Sequence, residues 1–245
     1  MTKEPMIPSL CRVCGGDTFA HHDVLWGELI SQWGLSDREA NYINVQQGTC
    51  CTVCGSNVRS IALANAILRH VHATTTLKEW VSGDQHRSCK LLEVNEAGTL
   101  SSVLANLPGH RLVRYPEYDM MALPFENASF DLVVHSDTLE HVSDVLRGLQ
   151  ECRRLLRRGG ACIFTVPVVV GRLTRDRKGL PRSVHGSEGC GDSSLTVHTE
   201  FGADVWCQVL ESGFDECRMV PYRYPSGLAL IAGVSESVLT KGGRR

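Results

Sequence analysis

Two short repeats carry the residues with the clearest chemistry. Cys11-Arg12-Val13-Cys14-Gly15-Gly16 and Cys51-Thr52-Val53-Cys54-Gly55-Ser56 each set two cysteines apart by two residues, with glycine after the second. Such a knuckle turns both thiolates toward one point. Two knuckles complete a tetrahedral four-sulfur site of the kind that holds zinc. The expected ligands are Cys11, Cys14, Cys51 and Cys54. Cys50 could replace Cys51, His21 and His22 are further candidates, and buried free thiols are the plainer alternative. A redox role is disfavoured, because no thioredoxin-like strand precedes either knuckle. Four sulfurs leave no open position for water, so the expected role is structural.

A second stretch is Leu91-Leu92-Glu93-Val94-Asn95-Glu96-Ala97-Gly98, an apolar run with an acid inside it that ends in turn-forming residues. Leu100, Val103, Leu104 and Leu107 follow at helical spacing, which predicts strand, tight turn and helix. Unpaired N–H groups at the helix start would suit an anionic or polar cofactor end. The turn is not a dinucleotide fingerprint, since only Gly98 of the required glycines is present.

The elements that position these residues follow from composition and periodicity. The chain of 245 residues is 42% apolar and 21% charged, with net charge −2 and a pI near 6.5. This balance fits a globular protein and gives no broad attraction to nucleic acid or anionic membrane. Met1-Thr2-Lys3-Glu4-Pro5 lacks an apolar signal core and no apolar run could span a bilayer, so the expected location is cytoplasmic. The 11 cysteines are then expected as thiols or metal ligands, not disulfides.

Between the knuckles, Val24, Leu25, Leu29, Ile30 and Trp33 have helical spacing, and Ser36 with Glu39 reads as a capping box for a short helix to about Tyr42. Val58 to Val71 reads as a bridging helix. The expected organisation is an N-terminal module over 1–72, a polar, irregular linker over 73–90, a main domain over 91–235, and a frayed tail over 236–245. In the main domain, 91–95, 111–115, 130–135, 161–167, 216–221 and 227–233 read as strands, the last two possibly antiparallel to each other. Ser143 is expected to cap a helix that Gly159-Gly160 end, and 203–212 forms another helix stopped by Gly213. Strands alternating with helices argue a parallel α/β sheet with helices on both faces.

Four motifs then occur in order: Asp119-Met120-Met121-Ala122-Leu123-Pro124-Phe125, Ser129-Phe130-Asp131-Leu132-Val133, Asp137-Thr138-Leu139-Glu140-His141-Val142, and Leu155-Leu156-Arg157-Arg158-Gly159-Gly160. Together they resemble the class I S-adenosylmethionine-dependent methyltransferases that act on small molecules. The knuckle pair is similar to the zinc module preceding some bacterial sugar and natural-product methyltransferases. The resemblance implies a Rossmann-like sheet with a small N-terminal four-cysteine zinc-binding helical module. It also implies S-adenosylmethionine and structural zinc as cofactors, and a small-molecule acceptor methylated on O, N or C.

By that resemblance, Glu93 orients the turn and the cofactor's amino group, and Asn95, Ala97 and Gly98 form the turn. Glu117 stands where the family has an acid for the ribose hydroxyls, and Asp119 and Met120 match the adenine-contacting position. A helix and strand that the family carries between those two acids are missing here. Either that segment is deleted, or Asp119 serves the ribose and Glu117 is a surface acid. Asp137 lies near the transferring methyl, and Glu140 and His141 begin the next helix. His141 could act as a general base, though a role in the wall or as a cap is the plainer reading, because methyl transfer needs chiefly alignment. The segment 168–199 is polar and rich in glycine and arginine, as an active-site lid would be. His185, His198 and Glu200 could face the acceptor, and Arg172, Arg175, Arg177, Lys178 and Arg182 could hold an anionic one. Two other readings keep the fold: a non-methylating enzyme or scaffold, and an RNA methyltransferase with a zinc reader. The acidic pI argues against nucleic acid as a partner. Oligomeric state is not encoded in these patterns.

Overall fold

In the computed structural model, which describes residues 9–183 and 195–235, the two knuckles are brought side by side by a small hairpin. Strand β1 (Phe19–His21) pairs antiparallel with β2 (Thr49–Cys51). The chain between them forms α1 (Gly27–Gln32) and α2 (Asp37–Gly48). The Ser36–Glu39 capping box is present. Helix α2 continues past Tyr42, because its second half is anchored: buried Asn44 accepts from the Val24 and Leu25 N–H groups at 2.9 Å each. Helix α3 (Val58–His70) starts where Asn57 accepts from the Ser60 N–H, and it lies across the sheet. Residues 73–90, expected as an irregular linker, carry α4 (Leu77–Ser82), with Leu77, Trp80 and Val81 in the core. The missed signal is local: Thr76 and Glu79 form a second capping box.

The main sheet is built from β3 (Leu91–Val94), β4 (His110–Val113), β5 (Phe130–Ser136), β6 (Leu156–Thr165), β9 (Glu216–Arg223) and β10 (Gly227–Gly233). Between them come α5 (Ser101–Leu104), α6 (Val145–Leu155), the hairpin of β7 (Arg175–Asp176) and β8 (Thr199–Glu200), and α7 (Val205–Glu211). The order is β4-β3-β5-β6-β10-β9. The first four strands run parallel, and β10 is antiparallel to both neighbours. No strand or helix lies between β4 and β5, so the segment suspected missing from the family pattern is absent.

Side chains alternate across the sheet, as a two-residue period requires. Leu91, Leu132, Val134, Ile163 and Ile231 pack toward α3, α4 and α5. Leu92, Val94, Val133, Phe164 and Leu230 pack toward α6 and α7. Each fully buried leucine or isoleucine contributes about 1.5–3 kcal/mol, against about 1 kcal/mol for a helix cap. Packing therefore fixes the layers, and the caps set only their edges.

Three boundaries differ from expectation. Asp144, not Ser143, caps α6, accepting from the Arg147 N–H at 3.0 Å. Leu139–His141 form a separate 3₁₀ turn before α6. Gly159-Gly160 lie inside β6 rather than ending the helix, at a bulge against β5. Gly159 has φ +75°, and a Cβ on Gly160 would meet the Asp131 carbonyl oxygen at 2.7 Å.

One core side chain is mismatched to its place. His135 is fully buried, stacked on Phe164 at 4.7 Å, and neither ring nitrogen has a hydrogen-bond partner among the described residues. Burial lowers its pKa to about 3, so the folded ring is neutral. Unfolded, it takes up a proton below the ordinary value near 6.5, so this residue's effect on stability worsens as pH falls from about 6.5 toward 3. His135→Leu is expected to stabilise the fold by about 1–3 kcal/mol by removing the unpaired polar atoms. It should also flatten the acid side of the pH–stability curve. Urea denaturation across that pH range checks this, and parallel curves for the two proteins would refute it.

Candidate active site

The carboxyl ends of β3, β4 and β5 open into a cavity of about 480 Å³. Two non-glycine residues there hold left-handed backbone: Asn95 (φ +56°) just after β3, and Asp137 (φ +46°) just after β5. Such positions are sparsely populated and persist where the surroundings fix them. Asn95 is fixed on two sides, its N–H donating to the Val113 carbonyl at 2.8 Å and its Oδ1 accepting from the Tyr115 N–H at 3.0 Å.

The turn after β3 is built on Glu93, which is fully buried. One carboxylate oxygen accepts from the Ala97 N–H at 2.7 Å and from the Ser101 hydroxyl, and the other meets His110 Nε2 at 2.6 Å. Both oxygens are thus engaged inside the protein, and Glu93 does not line the cavity. Gly98 completes the turn at φ +59°.

Of the candidate residues, Asn95, Asp119, Met120, Asp137, His141 and His198 line this cavity, whereas Glu93, Ala97, Gly98 and Glu117 do not. Ala97 is buried under the turn and Glu117 is exposed beyond β4. His185 lies outside the described residues, as does the tail over 236–245. His141 Nδ1 contacts the Thr196 carbonyl at 3.1 Å, and its Nε2 lies 3.8 Å from Glu140. Burial pushes the Glu140 carboxyl up to about 7, with His141 and Arg59 opposing that shift.

A second cavity, of about 360 Å³, adjoins the first, and Asp137 is the one described residue that lines both. Its wall combines Trp26 and Trp33, which flank α1, with Ile43 of α2 and Pro167-Val168-Val169 after β6. Arg59 reaches in from the first turn of α3 and ion-pairs with Asp137, and Gln47 Nε2 approaches the same carboxylate oxygen at 3.4 Å. Sequence reading missed Arg59, Gln47 and the tryptophans as site residues. For the first, the available signal was an arginine in the first turn of α3 with buried Val58, Ser60 and Ile61 around it.

The described part of the 168–199 segment is tied down by its arginines. Arg172 forks onto Glu39 of α2 at 2.9 and 3.0 Å and donates to the Trp33 and Gly34 carbonyls at 2.9 and 2.7 Å. The pairing holds Glu39 at a pKa of about 2. Arg175 and Arg177 both pair with Glu200, and Arg182 donates to Thr196 Oγ1 at 3.1 Å. These cations thus have partners within the protein.

At the knuckles, the sulfurs of Cys11, Cys14, Cys51 and Cys54 all lie within 4.8 Å of one another. Cys11–Cys54 and Cys14–Cys51 are each 3.7 Å apart. Four sulfurs about 2.3 Å from a common centre, the zinc–sulfur distance, form a tetrahedron with edges of roughly 3.8 Å. The donor set therefore fits a tetrahedral metal. Cys50 points away toward the Gln47 carbonyl, and His21 bonds to Thr49 and Asp23.

A family model described as a methyltransferase domain matches residues 54–164, from the last knuckle cysteine to the end of β6. That stretch, a little under half of the chain, is similar to a methyltransferase domain. The chain is 36% identical over 63 residues to a "Probable S-adenosylmethionine-dependent methyltransferase" of Mycolicibacterium smegmatis, and equally to one of Mycobacterium tuberculosis. The alignment covers 24% of this chain, and the chain spans only 24% and 23% of those relatives' lengths. A solved sugar N-methyltransferase from Streptoalloteichus is a distant likeness, at 16% identity and TM-score 0.42 over 65% of this chain and 87% of that one. In the methyltransferase-like stretch, the turn that ends β3 depends on Glu93. Glu93→Ala is expected to destabilise the fold by about 3–5 kcal/mol, because it strands His110, Ser101 and the Ala97 N–H. A loss below about 1 kcal/mol in urea denaturation, the size of an ordinary surface change, would show that the turn holds without the carboxylate.

Proposed function

We propose that this chain transfers a methyl group from S-adenosylmethionine to an O, N or C nucleophile of a small molecule. The observation that carries this reading is the meeting of two cavities at Asp137. One opens at the strand ends, where ligands of open α/β sheets bind, and the other is large enough for a small-molecule acceptor.

Asn95 would border the cofactor beside the turn that Glu93, Ala97 and Gly98 shape from beneath. Asp119 and Met120 would meet its adenosine end, and Asp137 would stand near the reacting centre. When bound, the cofactor supplies an electrophilic methyl on a sulfonium. The chain's task is to align the acceptor and keep water out. His141 and His198 both lie on the cavity wall, and the geometry requires neither as a base. Glu117 has no role in this reading. Zinc bound by Cys11, Cys14, Cys51 and Cys54 would hold the start of α3 in place. A reducing cytoplasm would suit thiolate ligands, and no disulfide joins the described cysteines. No helix among the described residues is long and apolar enough to cross a membrane.

Calorimetric titration with S-adenosylmethionine and S-adenosylhomocysteine tests the cofactor assignment. Saturation at about 100 times Kd should also stabilise the fold by about 2.7 kcal/mol. Absence of binding by both compounds would overturn the reading. Metal analysis of purified protein should find zinc close to one per chain. Cys51→Ser should lose it and Cys50→Ser should keep it, whereas metal-free wild-type protein would remove zinc from the account.

A further inference from the structure

We propose that the second cavity takes a planar, largely apolar acceptor, and that the atom methylated is a hydroxyl of phenolic type, which loses its proton as it reacts. This rests on the methyltransferase reading above and goes further, by naming the acceptor's chemistry.

The wall argues for an apolar occupant. Trp26, Trp33, Leu29 and Ile43 face Val168 across the cavity. Helix α1, which presents Leu29, buries none of its residues, and the two tryptophans that flank it are only half-buried. A helix with an apolar face normally covers that face with protein. Among the described residues this face borders a cavity of about 360 Å³, within the range of small-ligand pockets. A flat ring system would cover Trp26 and Leu29, and the large face of a tryptophan favours stacking.

Polar groups are few and gathered. Gln47 and Arg59 both donate to Asp137 at the junction with the cofactor cavity. Apart from these, buried Gln46 is the one polar side chain lining the cavity among the described residues. A sugar would leave several hydroxyls against apolar wall without partners, which is unfavourable. A phosphate-bearing acceptor would need cations that are not already engaged. Arg172, Arg175 and Arg177 are bound to Glu39 and Glu200 instead.

The junction also selects the nucleophile. Once the Asp137 carboxylate has taken the hydroxyl's proton, the Arg59 guanidinium it had paired with is left facing the oxygen that gains negative charge, an arrangement that opposes an ammonium. In the step proposed, the hydroxyl's proton passes to the Asp137 carboxylate and then to water. The oxygen's electron pair forms the new bond to the methyl carbon, as the donor's carbon–sulfur bond breaks with its pair left on sulfur. One proton is released per methyl transferred, and no oxidant or reductant is needed.

The test is calorimetry of 2-naphthol, 2-naphthylamine and methyl β-glucoside, each with the free protein and with protein saturated by S-adenosylhomocysteine. 2-Naphthol is expected to bind at least about ten-fold more tightly than the glucoside. Leu29→Asp, on a helix with no buried residue, should weaken naphthol binding by about ten-fold or more while shifting S-adenosylhomocysteine affinity by less than about two-fold. With S-adenosylmethionine, the product should be 2-methoxynaphthalene. If S-adenosylhomocysteine binds and naphthol binds no better than the glucoside, the acceptor proposal falls and the methyltransferase reading stands. If naphthol binds, and binding is lost in Leu29→Asp, but neither cofactor form binds, the methyltransferase reading falls and the apolar ligand site stands. Tighter binding and methylation of the amine would overturn the hydroxyl assignment.

Discussion

The ion pair between Arg59 and Asp137 joins parts of the chain that are far apart in sequence. Arg59 sits in the first turn of α3, immediately after the second knuckle, and Asp137 closes β5 with a left-handed backbone. Both side chains are largely buried, where a charge without its counter-charge is costly. Burial lowers the Arg59 pKa, while the nearby Glu140 opposes that shift. Each partner therefore constrains the other: the helix cannot slide along the sheet without stranding the arginine, and the turn after β5 cannot relax without stranding the aspartate. The two cavities share a wall at this point because the pair occupies it.

The knuckles matter through the same connection. Cys54 Sγ lies 3.3 Å from Ser56 Oγ, and that hydroxyl bonds to Thr99 Oγ1 at 2.8 Å, next to the glycine of the β3 turn. Asn57 follows as the cap of α3, and Arg59 comes two residues later. Four sulfurs that fix Cys54 thus fix, within five residues, one contact to the turn and one to the carboxyl end of β5. On the other side, Arg172 ties the segment after β6 to α2, Tyr42 accepts from the Val170 N–H at 3.1 Å, and Trp33 Nε1 donates to Ser183 Oγ at 2.9 Å. The second cavity is enclosed by polar links at its rim and left apolar inside.

What could be read from sequence was what is local. The Ser36–Glu39 capping box, the alternating strands and the paired knuckles depend on residues a few positions apart, and each appears where its pattern put it. The full length of α2 was hidden because Asn44 secures it through backbone groups 19 and 20 residues away. Gly159-Gly160 read as a helix stop, yet their constraint comes from β5, whose Asp131 carbonyl leaves no space for a Cβ. Trp33 and Leu29 had the spacing of a packed helix face, and the pattern could not show that the face borders a cavity. The lid arginines looked available for an anion, because ion pairs across 133 residues, as between Arg172 and Glu39, leave no mark in a local pattern.

The missing segment between β4 and β5 shows how a shortened chain can retain a site. Without a further strand, β4 is the edge of the sheet, and unpaired edges need cover. Residues 114–129 provide bulk beside it: Phe125 stacks on Tyr118, meets Phe130 edge-on at 5.5 Å, and lies under the Arg111 guanidinium of β4 at 4.3 Å. Each such contact adds about 0.5–1 kcal/mol beyond the area it buries. The same short loop brings Asp119 and Met120 to the cavity within seven residues of the end of β4, leaving Glu117 on the outside. A loop held by aromatic packing can thus present an acid and an apolar side chain where a longer excursion of chain would otherwise have to return, so the cavity keeps a polar and an apolar wall although the sheet has lost a strand.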